Sequence, residues 1–174
     1  CLAEGGTATG VFTQARTGLT AGTFLYYRGY ATNSVGTSYS PDGSFYTEPT
    51  TQASAVNFAG ITSTGMTVNW TRGSGGAGGG VLVLMKSITA VTGTPADGTY
   101  TGYTANTTFG SGTLIGDGYV VYKGTGTSVA VTGLTASTTY HVSVFEFAGQ
   151  VDTSGVNQGT NYKLIPASGS QATT

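Results

Sequence analysis

The chain has 174 residues, of which 7% are charged, and its formal net charge is −1. So small a charge gives no electrostatic attraction for nucleic acid or for anionic membranes. Thirty glycines and an excess of Thr and Ser disfavour helices, whereas Thr, Val, Tyr and Phe favour strands. We therefore expect an all-β protein that binds no nucleic acid and lies outside the cell or on its surface.

The single cysteine is Cys1, so no disulfide can form within the chain. A chain that begins at cysteine is consistent with a lipoprotein acylated at Cys1. It is also consistent with a fragment or a repeat unit of a longer protein. No apolar run approaches the roughly 20 residues of a membrane-spanning helix, so we expect membrane contact only if Cys1 is lipidated.

The first part of the chain predicts short strands separated by turns. Residues 11–16, 24–32 and 44–47 have the apolar and aromatic content of strands. Pro41-Asp42-Gly43 indicates a turn, because proline restricts φ and glycine accepts positive φ. Residues 49–53 are predicted to link this part to a second domain.

Residues 54–174 have the pattern of a complete β domain. Met66-Thr67-Val68-Asn69-Trp70 alternates apolar and polar side chains, which places one face of a strand in a core. The continuous apolar run from Val81 to Met85 predicts a central strand covered on both faces. About seven strands spaced by turn signals, with no convincing helix, predict an antiparallel β-sandwich.

Several segments resemble a fibronectin type III domain, namely Met66 to Trp70, Gly133-Leu134-Thr135 and Thr139 to Val144. The resemblance covers about residues 50–174 and is closest to a bacterial branch found in large secreted or surface proteins. It implies an immunoglobulin-like sandwich in which the tryptophan packs in the core and a tyrosine corner is formed by the leucine before the turn and the tyrosine after it. The core residues that it implies are Trp70, Leu134, Tyr140, Val142 and Val144.

A partial copy of the same signature occurs earlier in the chain. Gly18 to Gly22 matches Gly133 to Ser137 at a shift of 115 residues, which places Leu25 on Tyr140. Residues 1–48 thus resemble the last three strands (E, F and G) of such a domain, which needs about 100 residues when whole. Three strands with an exposed apolar face are marginal alone. Either the chain is part of a longer one, or another chain completes the sheet by strand addition.

No constellation of residues predicts a catalytic, cofactor-binding or metal site. Glu146 lies at the inward end of a strand, and we expect it to pair with Arg72 or Lys86. His141, the only histidine, is expected to face solvent, and no nucleophile motif accompanies it. Three aspartates precede glycine, which is typical of turns: Asp42, Asp97 and Asp117.

The aromatic side chains suggest two kinds of surface. Subunit contacts are expected at Val11, Phe12, Phe24, Leu25, Tyr26, Tyr27 and Tyr30. A platform for stacking on glycans would instead use Tyr26, Tyr27, Tyr30, Tyr100, Tyr103, Tyr119 and Tyr122.

We therefore expect a non-enzymatic structural protein that forms a homo-oligomer or filament by β-strand complementation between subunits. The alternative is a spacer, or a carbohydrate-binding or adhesion module, of a larger secreted enzyme or adhesin.

Overall fold

The computed structural model describes residues 13, 15–76, 78–149 and 159–174. Within these ranges the regular structure consists of β-strands. No helix in the described ranges could cross a membrane. The strands, in chain order, are β1 (Phe24–Tyr27), β2 (Tyr30–Thr32), β3 (Thr37–Tyr39), β4 (Gly43–Tyr46), β5 (Ser54–Ala59), β6 (Gly65–Thr71), β7 (Gly80–Ser87), β8 (Leu114–Ile115), β9 (Gly118–Gly124), β10 (Ser128–Thr132), β11 (Thr139–Ala148), β12 (Asn161–Tyr162) and β13 (Ala167–Ala172).

Two sheets form the body of the protein. The smaller has three strands in the order β10-β6-β5, and the larger has six, ordered β12-β11-β7-β9-β8 with β13 also paired to β11. Neighbouring strands in both sheets are antiparallel. This strand order is that of an immunoglobulin-like sandwich, so the predicted all-β, antiparallel fold class is confirmed.

The first core lies between the two sheets. Trp70 from β6 and Leu134 are 4% and 5% exposed, and Tyr140, Val142 and Val144 from β11 are buried in the same cluster. Polar groups at the edge of this core are satisfied, since Trp70 Nε1 donates to Gly126 O at 3.1 Å. Burial of these side chains removes apolar surface from water, which is the main stabilising contribution to the sandwich.

A second core covers the outer face of the larger sheet. Leu82 and Leu84 of β7 and Phe145 and Phe147 of β11 pack there with Tyr100, Ile115, Val120 and Tyr162. The connection between β7 and β8, residues 88–113, supplies part of this layer. Val81, Val83 and Met85 of β7 face the first core instead. The predicted burial of this strand on both faces is confirmed.

The predicted linker at residues 49–53 is bonded to the sandwich. Gln52 Nε2 donates to Lys163 O at 2.8 Å and to Ile165 O at 2.7 Å. Its Oε1 accepts from the Glu146 N–H at 2.6 Å. Glu146 lies where β11 passes from its partner β13 to its partner β12. The Gln52 side chain therefore fills a gap in the ladder of hydrogen bonds along β11.

The N-terminal strands form one interrupted β-hairpin. β1 pairs with β4, β2 pairs with β3, and Asn33 N–H donates to Gly36 O at the tip. The predicted continuous strand over residues 24–32 is wrong at Arg28 and Gly29, because two residues, Pro41 and Asp42, oppose Arg28 alone. Such an extra residue is a β-bulge, and proline is tolerated there because it has no N–H to donate.

The predicted strand at residues 11–16 lies partly outside the described residues. Of this segment, Thr13, Ala15 and Arg16 are described, and they lie outside any strand. The sequence offers a reason at Arg16, which stands where the second copy has Val131 of β10. Val131 packs in the first core, and a charged side chain at the matching position is unsuited to such packing.

Candidate functional site

The hairpin formed by residues 24–46 is anchored to the sandwich at its base. Tyr46 is 4% exposed, its N–H donates to Gly159 O at 3.4 Å, and Asn161 Nδ2 donates to Tyr46 O at 3.0 Å. Glu48 forms an ion pair with Lys163 at 3.6 Å. The base of β4 therefore continues the edge of the larger sheet beside β12, while exposure rises toward the tip.

The hairpin has two faces, because successive side chains of a strand point in opposite directions. The Leu25 face comprises Leu25, Tyr27, Phe45 and Gly43, and the Tyr27 and Phe45 rings lie 6.0 Å apart. The ring of Tyr27 lies over Gly43, where a Cβ atom would collide with it. An aromatic ring packed across a strand onto glycine compensates for the missing side chain.

The opposite face, called the Tyr26 face, comprises Phe24, Tyr26, Arg28, Tyr30, Tyr39 and Tyr46. Its rings form neighbouring pairs, with centroids 4.7 Å apart for Phe24 and Tyr46 and 6.4 Å apart for Tyr30 and Tyr39. The Arg28 guanidinium lies 5.4 Å from the Tyr39 ring centroid. Cross-strand aromatic pairs of this kind stabilise a hairpin by about 0.2–1 kcal/mol each.

Much of the aromatic surface of the hairpin is open to solvent. Tyr26 is 73% exposed, Tyr27 60% and Tyr39 62%. The charged residues of the hairpin are Arg28 and Asp42, which pair at 2.6 Å and so neutralise each other. Large exposed apolar patches are often sites of interaction with another molecule. The hairpin is therefore the strongest candidate functional surface in the described chain.

The predicted subunit contacts occupy different environments. Phe24 and Leu25 are half-buried, whereas Tyr26, Tyr27 and Tyr30 are exposed. Cys1, Val11 and Phe12 lie outside the described residues. Tyr39, which sequence reasoning missed, joins this set because it lies opposite Tyr30. The turn at residues 33–36 could have predicted that pairing.

The seven tyrosines of the predicted glycan platform do not form one surface. Tyr100 is 9% exposed and packs on Phe147, with ring centroids 5.4 Å apart. Tyr103, Tyr119 and Tyr122 are half-buried. These four residues pack in the two cores or at their margins, so the seven tyrosines of this alternative do not lie together on one face. Of the seven, the hairpin tyrosines are the most exposed to solvent.

The expected role of Glu146 is confirmed. Its carboxylate, 0% exposed, pairs with Arg72 Nη2 at 2.6 Å and accepts from Arg72 Nε at 2.8 Å. The Gly73 N–H also donates to it, at 3.3 Å. A buried carboxylate that is paired and hydrogen-bonded in this way holds the glycine loop onto the end of β11.

Two of the aspartates expected in turns accept hydrogen bonds from nearby backbone. Asp117 accepts from the N–H groups of Thr92 and Gly93 and pairs with Lys86 Nζ at 2.6 Å. The hydrogen bond from Lys86, together with that from the Thr92 hydroxyl, holds the pKa of Asp117 well below its ordinary value. Asp97 accepts from the Tyr162 N–H at 2.8 Å. These carboxylates organise loops around the second core.

His141 is half-buried, so the expectation of a solvent-facing imidazole is wrong. It lies in β11 between Lys86 of β7 and Ser170 of β13, because β11 is an interior strand of its sheet. Together with Ser143 and Ser168 it lines a shallow depression of about 240 Å³. Among the residues that the structure describes, no group of three or more His, Cys, Asp or Glu side chains is placed to hold a metal ion.

Burial shifts the pKa values of Lys123 and Tyr162, which lie beneath the loop at residues 88–113. It lowers the pKa of Lys123, whose Nζ donates to Tyr100 O and Tyr103 O. It raises the pKa of Tyr162, whose hydroxyl donates to Thr99 O at 2.9 Å. Each of these groups is satisfied by backbone carbonyls, so together they pin the loop to the sheet.

The chain matches no protein-family model, and no curated protein matches it. Among solved structures it is similar to a crystal structure of domains from titin, with 15% sequence identity and a TM-score of 0.43. The alignment covers 85% of this chain and 40% of the titin chain, so the chain spans less than half of the length of that structure. Strand order and pairing, rather than this likeness, define the immunoglobulin-like fold of the chain.

Proposed function

We propose that the protein is a structural, non-enzymatic subunit of a fibre or ordered array, located outside the cell or at its surface. The observation that carries the proposal is the anchored hairpin, on which Tyr27 is exposed, Leu25 and Phe45 are half-buried, and the two charges pair with each other. Burial of such side chains against another subunit removes apolar surface from water and desolvates little net charge. Aromatic residues are the side chains that most often anchor protein interfaces.

Strand complementation is the proposed mode of assembly. A two-stranded sheet has free backbone N–H and C=O groups along its edges, and charged residues normally defend such edges against pairing. The strands of this hairpin contain no Lys or Glu, so their edges are suited to accept a strand from a neighbouring subunit. Head-to-tail contacts of this kind generate filaments when the rotation between subunits does not close.

A fibronectin type III unit of a bacterial secreted or surface protein is the proposed identity of residues 54–174. The Tyr140 hydroxyl, which accepts from the Thr135 N–H at 2.9 Å, supports a tyrosine corner. The proposal includes membrane attachment only if Cys1 is lipidated.

Electron microscopy and sedimentation of the purified chain test the assembly. We expect filaments or regular arrays, and a sedimenting fraction that grows with protein concentration. A monodisperse monomer at the highest soluble concentration would contradict the proposal.

A glycan-binding or adhesion module is the second candidate. It is favoured by Tyr26, Tyr30 and Tyr39, which share one face with the paired Arg28 and Asp42. Aromatic rings give flat apolar surfaces, and a guanidinium and a carboxylate beside them can hydrogen-bond hydroxyl groups. A glycan array would favour this function if binding is lost in Tyr26→Ala and Tyr30→Ala while the protein stays monomeric.

A further inference from the structure

The turn that precedes the hairpin has the same backbone conformation as the turn that precedes β11. Gly18 and Gly133 have φ values of 70° and 73°, and Gly22 and Ser137 have φ values of 62° and 52°. Positive φ is uncommon for residues other than glycine, so its recurrence at Ser137 is specific to this turn. The sequence shift of 115 residues therefore corresponds to a repeated structure.

The hydrogen bonds that close the two turns also correspond. Thr47 Oγ1 donates to Thr20 O at 2.7 Å, and Thr173 Oγ1 donates to Thr135 O at 2.6 Å. The backbone N–H groups at the starts of the strands complete the match: Thr23 N–H donates to Thr47 Oγ1 at 2.9 Å, and Thr138 N–H donates to Thr173 Oγ1 at 3.0 Å. One threonine thus fastens the end of each strand pair to its turn.

The strand pairs that follow have the same register. Tyr27 pairs with Gly43 in the hairpin, and Val142 pairs with Gly169 between β11 and β13. The residues of the Leu25 face therefore correspond to the residues of β11 and β13 that face the first core. The Tyr26 face corresponds to the side of β11 that carries His141.

The β11–β13 pair is covered in a way that the hairpin is not. β7 pairs along the other edge of β11, and β5 lies over β13. A Cβ atom at Gly169 would lie 2.9 Å from Val56 Cγ1, so this glycine makes room for the covering strand. Over Gly43 the ring of Tyr27 fills the equivalent space. Within the described residues, β1 pairs with β4 alone.

We propose that β1 and β4 are the last strand pair of a second immunoglobulin-like unit, which a neighbouring copy of this chain completes. The neighbouring copy lays an antiparallel strand along the free edge of β1, as β7 does for β11, and packs apolar side chains on the Leu25 face. This inference rests on the function proposed above, because that assembly brings the copies together. Only 7% of the residues of this chain are charged, so another copy can cover the uncharged Leu25 face without burying many charges. We therefore take a second copy of the chain as the partner that covers this face.

Adjacent tyrosines on opposite faces provide a matched test. Tyr27 and Tyr26 are both exposed, but only Tyr27 lies on the face to be covered. In the full chain we expect Tyr27→Glu to raise the concentration needed for assembly by at least about tenfold, because burying an unpaired carboxylate is costly. We expect Tyr26→Glu to change it less than about twofold, since its side chain stays in water. Thermal unfolding of both variants checks that the sandwich is intact.

A photoreactive benzophenone side chain, placed at position 27 or at position 26, tests which molecule covers the Leu25 face. In assembled material we expect position 27 to crosslink to a peptide of another copy of this chain, and position 26 to crosslink weakly. Capture of a different polypeptide at position 27, equal capture at both positions, or no capture would each overturn the inference. Equal loss of assembly in the two glutamate variants would overturn it as well.

The behaviour of the wild-type protein distinguishes failure of this inference from failure of the proposed function. If the unmodified chain forms no filaments or arrays, the proposed function fails first, and the inference falls with it. If the wild type assembles but the two faces behave alike, only the inference fails.

Discussion

At the scale of single residues, Tyr140 links the first core to the turn before β11. Its ring is 2% exposed, and its hydroxyl accepts from the Thr135 N–H. We expect Tyr140→Phe to lower the free energy of unfolding by about 1–2 kcal/mol, because it leaves a partly buried backbone donor without its acceptor.

Urea unfolding of the full chain measures this loss. Tyr26→Phe is the control, because Tyr26 is 73% exposed and its hydroxyl faces water. A Tyr140→Phe protein as stable as the wild type would show that the hydroxyl contributes nothing to the corner.

Asp117 makes stability depend on pH. Its pKa lies below the ordinary value of 3.8 because the folded state surrounds the carboxylate with Lys86, Thr92 and Gly93 donors. The folded chain therefore releases this proton more readily than the unfolded chain does. The resulting stabilisation is complete above about pH 5 and is lost progressively as the pH falls below that value.

Asp117→Asn is the test of this pH dependence. We expect the variant to be less stable than the wild type at neutral pH and to lose less stability between neutral pH and about pH 3. Denaturant unfolding at a series of pH values measures both quantities. Parallel pH profiles for the two proteins would exclude Asp117 as the source.

At the scale of elements, the Gln52 side chain takes the place of a neighbouring strand as a hydrogen-bond partner of β11. Between the residues of β11 that pair with β13 and those that pair with β12, the Glu146 N–H has the Gln52 side chain as its partner. We expect Gln52→Ala to reduce the free energy of unfolding by about 1–3 kcal/mol, because a buried donor and two carbonyls lose their partner.

Amide hydrogen exchange localises the effect of Gln52→Ala. Exchange of the Glu146 N–H should accelerate more than that of the β11 amides bonded to β7. Thr50→Ala, a change at an exposed position two residues earlier, is the control and should alter neither measurement. Uniform acceleration along β11 would indicate global destabilisation and would contradict the proposed local role.

The hairpin shows what can and cannot be predicted from sequence at this scale. The strand content was predictable, because aromatic residues have a strong local preference for strands. The turn predicted at Pro41-Asp42-Gly43 is wrong, because Pro41 and Asp42 form the bulge opposite Arg28 and Gly43 begins β4. The bulge opposite Arg28 and the pairing of Tyr39 with Tyr30 depend on which residues face each other across two strands. The register between two strands depends on the residues of both strands, so the local sequence pattern of one strand does not determine it.

At the scale of the whole molecule, the scarcity of charge leads to a prediction about salt. Raising the ionic strength from about 0.1 M to about 1 M shortens the Debye length from about 10 Å to about 3 Å and weakens exposed ion pairs. Because the hairpin has one ion pair and otherwise neutral side chains, we expect its assembly to be nearly insensitive to this change. Sedimentation across a salt series measures it, and dissolution at high salt would point to an ionic interface instead.

The sandwich was predictable as a whole because its strands carry clear periodic patterns. Trp70, Leu134 and Tyr140 lie in the first core, at positions that the family resemblance implies. Burial of β7 on both faces was predictable, but the residues that cover its outer face were not, because residues 88–113 are rich in Thr, Gly and Ala and have no regular period. Their burial depends on contacts distant in sequence, such as those of Tyr100 with Phe147. The half-buried site of His141 was missed for the same reason.

If the protein is part of a fibre, the anchoring of the hairpin determines how a mechanical load would reach the sandwich. A pull on the hairpin reaches the sandwich through Tyr46, Glu48 and Gln52, which bond to Gly159, Lys163 and Glu146. These contacts lead into β12 and β11, and β11 is bonded on both edges and buried on both faces. A pull applied at β4 would therefore be transmitted to β11, where hydrogen bonds along both edges would share it.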